Sequence, residues 1–196
     1  MLARLILASV VFAEISARCT GGIPSAEVQS VVAIHNTLRK KIALGMYTAK
    51  GKKMPAAAVA IPLLTYNCEI EANAQAWCNN CVWGHSTKES RPGMGENLYQ
   101  SSSTAPLTFD GMGKKASDAW EKEFQDFGWA TINLTQATFD TGIGHATQMA
   151  WSGSTEIGCG MTQCPGTAPF LYKVFVCCQY KAAGNMLNRN IYEPKP

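Results

Sequence analysis

Histidine is scarce in this chain: three residues, His35, His85 and His145, in 196. Charge is thin as well. Asp, Glu, Lys and Arg make up 16% of the residues and leave a formal net charge of +3. With no stripe of basic residues there is no electrostatic footprint for nucleic acid, which excludes that partner class. Lys50, Lys52 and Lys53 form the densest positive cluster and read as a solvated loop face rather than a site for an anionic surface. No H-E-x-x-H helix occurs, and no Ser–His–Asp or Cys–His set stands out, so the common signatures of metalloproteases and nucleophilic hydrolases are missing. Repeats and low-complexity tracts are absent too. Beyond the first residues no run is long and apolar enough to cross a bilayer.

The opening run MLARLILASVVFAEISA has a positive start at Arg4, a short apolar stretch from Leu5 to Ala13, and small residues after it. That pattern predicts a signal peptide over 1–17, cleaved after Ala17 or alternatively after Ala13, and a secreted single domain over 18–196. An oxidising compartment gives the eight cysteines a meaning: Cys19, Cys68, Cys78, Cys81, Cys159, Cys164, Cys177 and Cys178 read as four disulfides. Cys78-Asn79-Asn80-Cys81 has redox or zinc spacing, but no second paired motif accompanies it. Adjacent Cys177 and Cys178 point to opposite faces of a strand and so take different partners. Asn133-Leu134-Thr135 is an N-glycosylation acceptor on that route.

Periodicity orders the rest. Ser25 is a candidate cap for a helix whose Val28, Val31, Val32, Leu38 and Ile42 keep helical spacing, and Gly45 ends it. A Lys-, Pro- and Ala-rich loop runs to about Pro62. A second helix carries Ile70, Ala74, Trp77 and Cys81 on one stripe, and Glu96 to Tyr99 reads as a short strand after the Arg91-Pro92-Gly93 turn. A third helix, about Gly113 to Phe127, sets Ala116, Trp120, Glu123 and Phe127 inward and Glu121 away. A fourth starts near Ile143. Strands follow at Ile157 to Met161 and Phe170 to Tyr180, where Phe170, Tyr172, Val174 and Val176 alternate with their neighbours. Helices first and strands afterwards predict an α+β layered domain.

Four polar residues in this scheme need explaining. Glu123 lies on a packed stripe between Trp120 and Phe127, and Glu96 precedes an apolar pair. An inward carboxylate costs several kcal/mol unless it is paired, hydrogen-bonded or bound to a cation. His85 follows Trp83-Gly84 just after a cysteine, and His145 opens a short helix. These groups could satisfy one another as a buried network, or bind Zn²⁺. Spacing alone does not choose.

Longer motifs surround them. Gly144 to Trp151 (GHATQMAW) resembles the GHxTQxxW signature of the CAP superfamily: cysteine-rich secretory, antigen 5 and pathogenesis-related 1 proteins. His35-Asn36-Thr37-Leu38-Arg39 is similar to its HNxxR, Cys81 to Ser86 to its C-x-x-x-H-S, and Gly95 to Tyr99 to its GENxY. Trp120 with Glu123 matches W-x-x-E, while Ile157-Gly158-Cys159-Gly160 and Cys178-Gln179-Tyr180 through Gly184-Asn185 match the C-terminal blocks. The resemblance covers about residues 24 to 190. Around Tyr66-Asn67-Cys68-Glu69 it is most similar to the nematode activation-associated secreted and venom allergen-like branch.

That resemblance implies a disulfide-rich, three-layer α-β-α sandwich with a small, mostly antiparallel sheet. It implies a cleft tetrad of His85, Glu96, Glu123 and His145, with His85 and His145 as ligands for zinc or another divalent cation. His35 is expected to hydrogen-bond in the core. Relatives pair the equivalents of Cys159 with Cys178 and of Cys81 with Cys164. The four remaining cysteines suggest an added Cys78–Cys177 bridge and a Cys19–Cys68 tether. For function it implies a secreted, non-enzymatic binding protein, of parasite-effector or immunomodulator type, with a sterol or fatty acid as cargo and host or tissue proteins as partners. It would be a monomer or a weak homodimer. The alternatives are a metal-dependent hydrolase or protease using the same cleft, with one glutamate as general base, and a tetrad that only satisfies itself.

Overall fold

The computed structural model describes Cys19 and residues 22–196. The predicted signal peptide and its cleavage site lie outside the described residues. The elements, in chain order, are α1 (Ser25–Ala43), β1 (Thr48–Ala49), β2 (Lys52–Lys53), β3 (Thr65–Tyr66), α2 (Cys68–Cys78) and β4 (Met94–Ser103). They continue with α3 (Met112–Asp126), α4 (Gln136–Phe139), α5 (Gly144–Ala150), β5 (Glu156–Thr167) and β6 (Phe170–Lys181).

The three long strands and the two-residue β3 build a four-stranded sheet in the order β3-β5-β6-β4. The β3/β5 pair is parallel, and β5/β6 and β6/β4 are antiparallel. Period-two alternation splits β6 between two cores. Val174, Val176, Cys178 and Tyr180 join the large cluster that includes α1, α3 and α5 residues. Phe175 and Cys177 join a smaller one with Leu98 of β4 and Cys78 of α2. Helices therefore cover both faces, and the layers are α-β-α.

Local chemistry explains most boundaries. Asn67 caps α2, its Oδ1 accepting from Glu69 N at 2.8 Å and Ile70 N at 3.2 Å. α2 lies unusually close to β5 because Gly158 and Gly160 have no side chain: a Cβ at Gly158 would fall 2.2 Å from Glu71 N, and one at Gly160 2.5 Å from Gln75 Cα. Buried Arg39 of α1 donates to Pro62 O, Met149 O, Trp151 O and Ser154 O at 2.6–3.0 Å, tying the end of α5 to the first helix.

Several expectations need correction. Ser25 is the first helical residue of α1; Pro24 holds the cap position and no side chain caps it. Lys50, Lys52 and Lys53 are exposed as expected, but Lys50 and Lys52 sit in a β1–β2 hairpin and also donate to Asp126 O (2.8 Å) and Ala130 O (2.5 Å), carbonyls at and beyond the end of α3. α2 stops at Cys78, and Cys81 lies past it with a left-handed φ of 55°. Phe127 follows the last residue of α3 and is 53% exposed, because the chain turns at Gly128. Glu121, expected to face away, is half-buried; burial raises its carboxyl above the usual range, opposed by Lys41 and a hydrogen bond with Tyr47. The strand expected at Glu96–Tyr99 runs ten residues, and Phe170 and Tyr172 are exposed because the β5–β6 hairpin tip has no helix over it.

Four disulfides cross-link these layers: Cys19–Cys68, Cys78–Cys177, Cys81–Cys164 and Cys159–Cys178. Cys81–Cys164 and Cys159–Cys178 are the pairs that the family resemblance implied, and the other two are those suggested for the four remaining cysteines. Cys159 and Cys178 face each other across the β5/β6 ladder, while Cys177 reaches α2 from the other face.

Candidate functional site

β4 is an edge strand, and its Glu96 and Asn97 begin the site. Glu96 points to the α2 side, directly across from Gln179 of β6. Its side chain is fully buried, yet it is heavily solvated by protein. Oε1 accepts from Ser86 N at 2.8 Å and lies 2.9 Å from His85 Nδ1. Oε2 accepts from Ser86 Oγ at 2.7 Å and Gln179 Nε2 at 2.9 Å, and Arg91 Nε stands 3.8 Å from Oε1. Burial pushes this acid up, but the hydrogen bonds from His85, Gln179 and Ser86 outweigh it and hold the pKa at about 2. Glu96 is thus a fixed anion.

On the other side of β4, Glu123 of α3 receives the start of α5. Its Oε2 accepts from His145 N at 2.9 Å and Ala146 N at 3.0 Å, two of the free amides at a helix N-terminus. Its Oε1 lies 2.5 Å from His145 Nδ1. The His145 ring stacks on Trp120, centroids 6.1 Å apart and planes at 21°, and Trp120 Nε1 donates to Leu98 O of the edge strand at 3.0 Å.

Asn97, next to Glu96 on the strand, faces the second pair: its Nδ2 donates to His145 O (3.0 Å) and to the Tyr180 hydroxyl (3.1 Å). That hydroxyl is 2.8 Å from Nε2 of His35, whose Nδ1 lies 2.8 Å from Val31 O. His35 is fully buried with both nitrogens used, and burial lowers its pKa to about 4. It is a core residue. Asn97 Oδ1 and Gln179 Oε1 are buried without a partner among the described residues, so the seam between the two pairs is under-satisfied.

The four tetrad residues therefore form two His–carboxylate pairs flanking one strand. Among the described residues no three His, Cys, Asp or Glu side chains gather in a ready-made metal cage. Each carboxylate fixes a histidine through Nδ1, which leaves Nε2 without a protein hydrogen bond among the described residues. The side chains of His85 and His145 are 56% and 36% exposed. A carboxylate on Nδ1 and a free Nε2 is the arrangement that orients an imidazole as a metal ligand.

The motifs located these four residues, but not what holds them. Thr147 and Gln148, neighbours of His145, are structural: Thr147 Oγ1 donates to Asn185 Oδ1 at 2.7 Å, and Gln148 bridges Ser154 Oγ and Gly184 N. Ser86 was within reach of sequence reasoning, as the residue after His85. Gln179 lies in the Cys178-Gln179-Tyr180 block, but only the β4/β6 register shows that it reaches Glu96, 83 positions away. Asn133 is exposed, with Leu134 buried beneath it and Thr135 capping α4.

Comparison with known proteins agrees with this architecture. Residues 32–180 match the family model described as "Cysteine-rich secretory protein family" (CAP). The chain is 36% identical over 178 residues to Ancylostoma secreted protein of Ancylostoma caninum, a match covering 87% of this chain but 40% of that relative's length. It is 34% identical over 181 residues to venom allergen 5 of Vespula vidua, covering 89% and 82% of the two chains. The crystal structure of NaASP2 with Zn²⁺ superposes with a TM-score of 0.81 at 34% identity, over 90% of this chain and 89% of that one. BmVAL-1 superposes at 0.81 and 31% identity, over 90% and 86%.

Proposed function

This chain belongs to the CAP family of cysteine-rich secretory proteins, and from that premise we propose that it is a secreted, non-enzymatic binding protein whose His85 and His145 hold a divalent cation. The observation that carries the reading is the pairing of both imidazoles with carboxylates through Nδ1, with Nε2 left for a ligand. NaASP2, at 34% identity, was crystallised with Zn²⁺, and imidazole nitrogen suits that ion. Two histidines supply two of the usual four ligands. Water or a bound partner's group supplies the rest, so the site is open and moderate in affinity.

The same geometry weighs against a hydrolase. A general base needs a carboxylate free to take a proton near neutral pH. Glu96 already accepts four hydrogen bonds at a pKa of about 2. Glu123 is spent on the α5 amides and His145.

Calorimetric titration with zinc tests the site. The parent is expected to show one site that both His85→Ala and His145→Ala remove; parent-like binding in both variants would falsify the assignment. A sterol or fatty acid cargo, effector action on host or tissue proteins, and a monomeric or weakly dimeric state rest on family membership. Organic extraction of protein purified from a secreting host checks the first: recovery of no sterol or acyl chain removes it. Asn133 is the glycan site in this reading, seen as a loss of mass on glycosidase treatment that is absent in Asn133→Gln.

A further inference from the structure

Large apolar side chains gather at one end of the sheet, outside the cleft. Phe170, Leu171 and Tyr172 at the start of β6, with Val82 and Trp83 in the loop after α2, are each 40–57% exposed. They are far apart in sequence but pinned together. Cys81 is bonded to Cys164, and Cys164 stands across the β5/β6 ladder from Lys173. That bond places Val82 and Trp83 beside the base of the hairpin. Trp83 also leans edge-on against the buried Phe175 ring, with centroids 5.5 Å apart, and Trp77 Nε1 holds Gly84 O at 3.0 Å. The patch is displayed on a braced frame.

Two features say what covers it. Successive strand residues point to opposite faces, yet Phe170, Leu171 and Tyr172 are all exposed, so a groove gripping one face would leave the other wet. A medium that surrounds the tip covers both. Charge adds the second: residues 79–86 and 162–176 contain no Asp or Glu and one cation, Lys173. An aromatic and leucine tip with a lysine at its base matches the membrane interface, where aromatic rings sit at headgroup level and lysine meets anionic lipid. We propose that the β5–β6 hairpin tip, together with Val82 and Trp83, docks this protein onto the surface of an anionic lipid bilayer. Trp83 lies two residues before His85, but the proposal uses neither His85 nor His145 and does not rest on the metal reading.

Sedimentation with vesicles of phosphatidylcholine and phosphatidylserine, free of sterol and fatty acid, tests the proposal with the disulfide-bonded protein. The parent is expected to pellet with vesicles. A triple variant (Phe170→Ser, Leu171→Ser, Tyr172→Ser) should lose at least about tenfold in partitioning, and Lys173→Glu should weaken it on anionic vesicles alone. Brominated lipid should quench tryptophan emission in the parent and much less in Trp83→Phe, a readout that does not require the triple variant to fold. A parent that stays in the supernatant, variants that pellet equally, or quenching unchanged by Trp83→Phe would each overturn the assignment. So would a patch that captures a soluble protein without binding vesicles.

Discussion

His35 shows what burial does to a single imidazole. With its nitrogens committed to Val31 O and the Tyr180 hydroxyl, it keeps its proton off until about pH 4, whereas the unfolded chain takes one up near 6.5. A lowered pKa on a base stabilises the fold above 6.5, and that stability drains away as pH falls from 6.5 to about 4. The difference is worth about 3 kcal/mol. Glu96 adds a second loss lower down, because its acid is depressed to about 2: that stability is present above 4.5 and disappears as pH drops towards 2. Urea midpoints measured at pH 7.5, 5.5 and 4.5 should therefore fall steeply for the parent. His35→Gln should be weaker at pH 7.5 but flatter across this range; an equally steep profile would show that His35 is not the group responsible.

At the scale of elements, buried polar side chains act as ties between helices. Glu27 of α1 is buried and accepts from Gly111 N and Gly113 N, both at 2.7 Å, so one helix caps another. Glu27→Ala should cost about 1–2 kcal/mol and speed amide exchange in the first turn of α3. Arg39→Met strands three buried carbonyls, those of Met149, Trp151 and Ser154, besides the part-buried one of Pro62, and should cost about 3 kcal/mol or more. Arg39→Lys should rescue little, since an ammonium lacks the fork that reaches four acceptors; thermal melts would show both. Such ties mark the limit of legibility. Helix periodicity located α1 and α3, and the strand alternation held where helices cover the sheet, at Val174 and Val176. It failed at Phe170 and Tyr172, where nothing packs. Glu27 reads from sequence as an ordinary first-turn acid, because its partners are 84 and 86 positions away. Cys81 fitted the α2 stripe by spacing, but its bond to Cys164 and the turn through Asn79 and Asn80 take it out of the helix. The tetrad residues were visible through motifs, whereas Gln179 required the sheet register.

Over the whole molecule, the cross-links act as a nested set. Cys78–Cys177 and Cys159–Cys178 differ widely in sequence separation, 99 against 19, but Cys81–Cys164 ties the chain beside both, so each of them closes the same remaining ring of about ten residues, worth about 3 kcal/mol in the chain-entropy picture. Replacing Cys78 and Cys177 together by Ala should therefore lower the denaturation midpoint by about as much as the same change at Cys159 and Cys178. Clearly unequal losses would mean that packing around the bonds dominates loop closure. The placement of the two histidines on either side of β4 carries its own outcome. One belongs to the layer of α2 and the other to the layer of α3 and α5, with only an edge strand between them. An ion grasping both rings would stitch the outer sheets of helix together at the rim, and occupancy would be legible as resistance to heat.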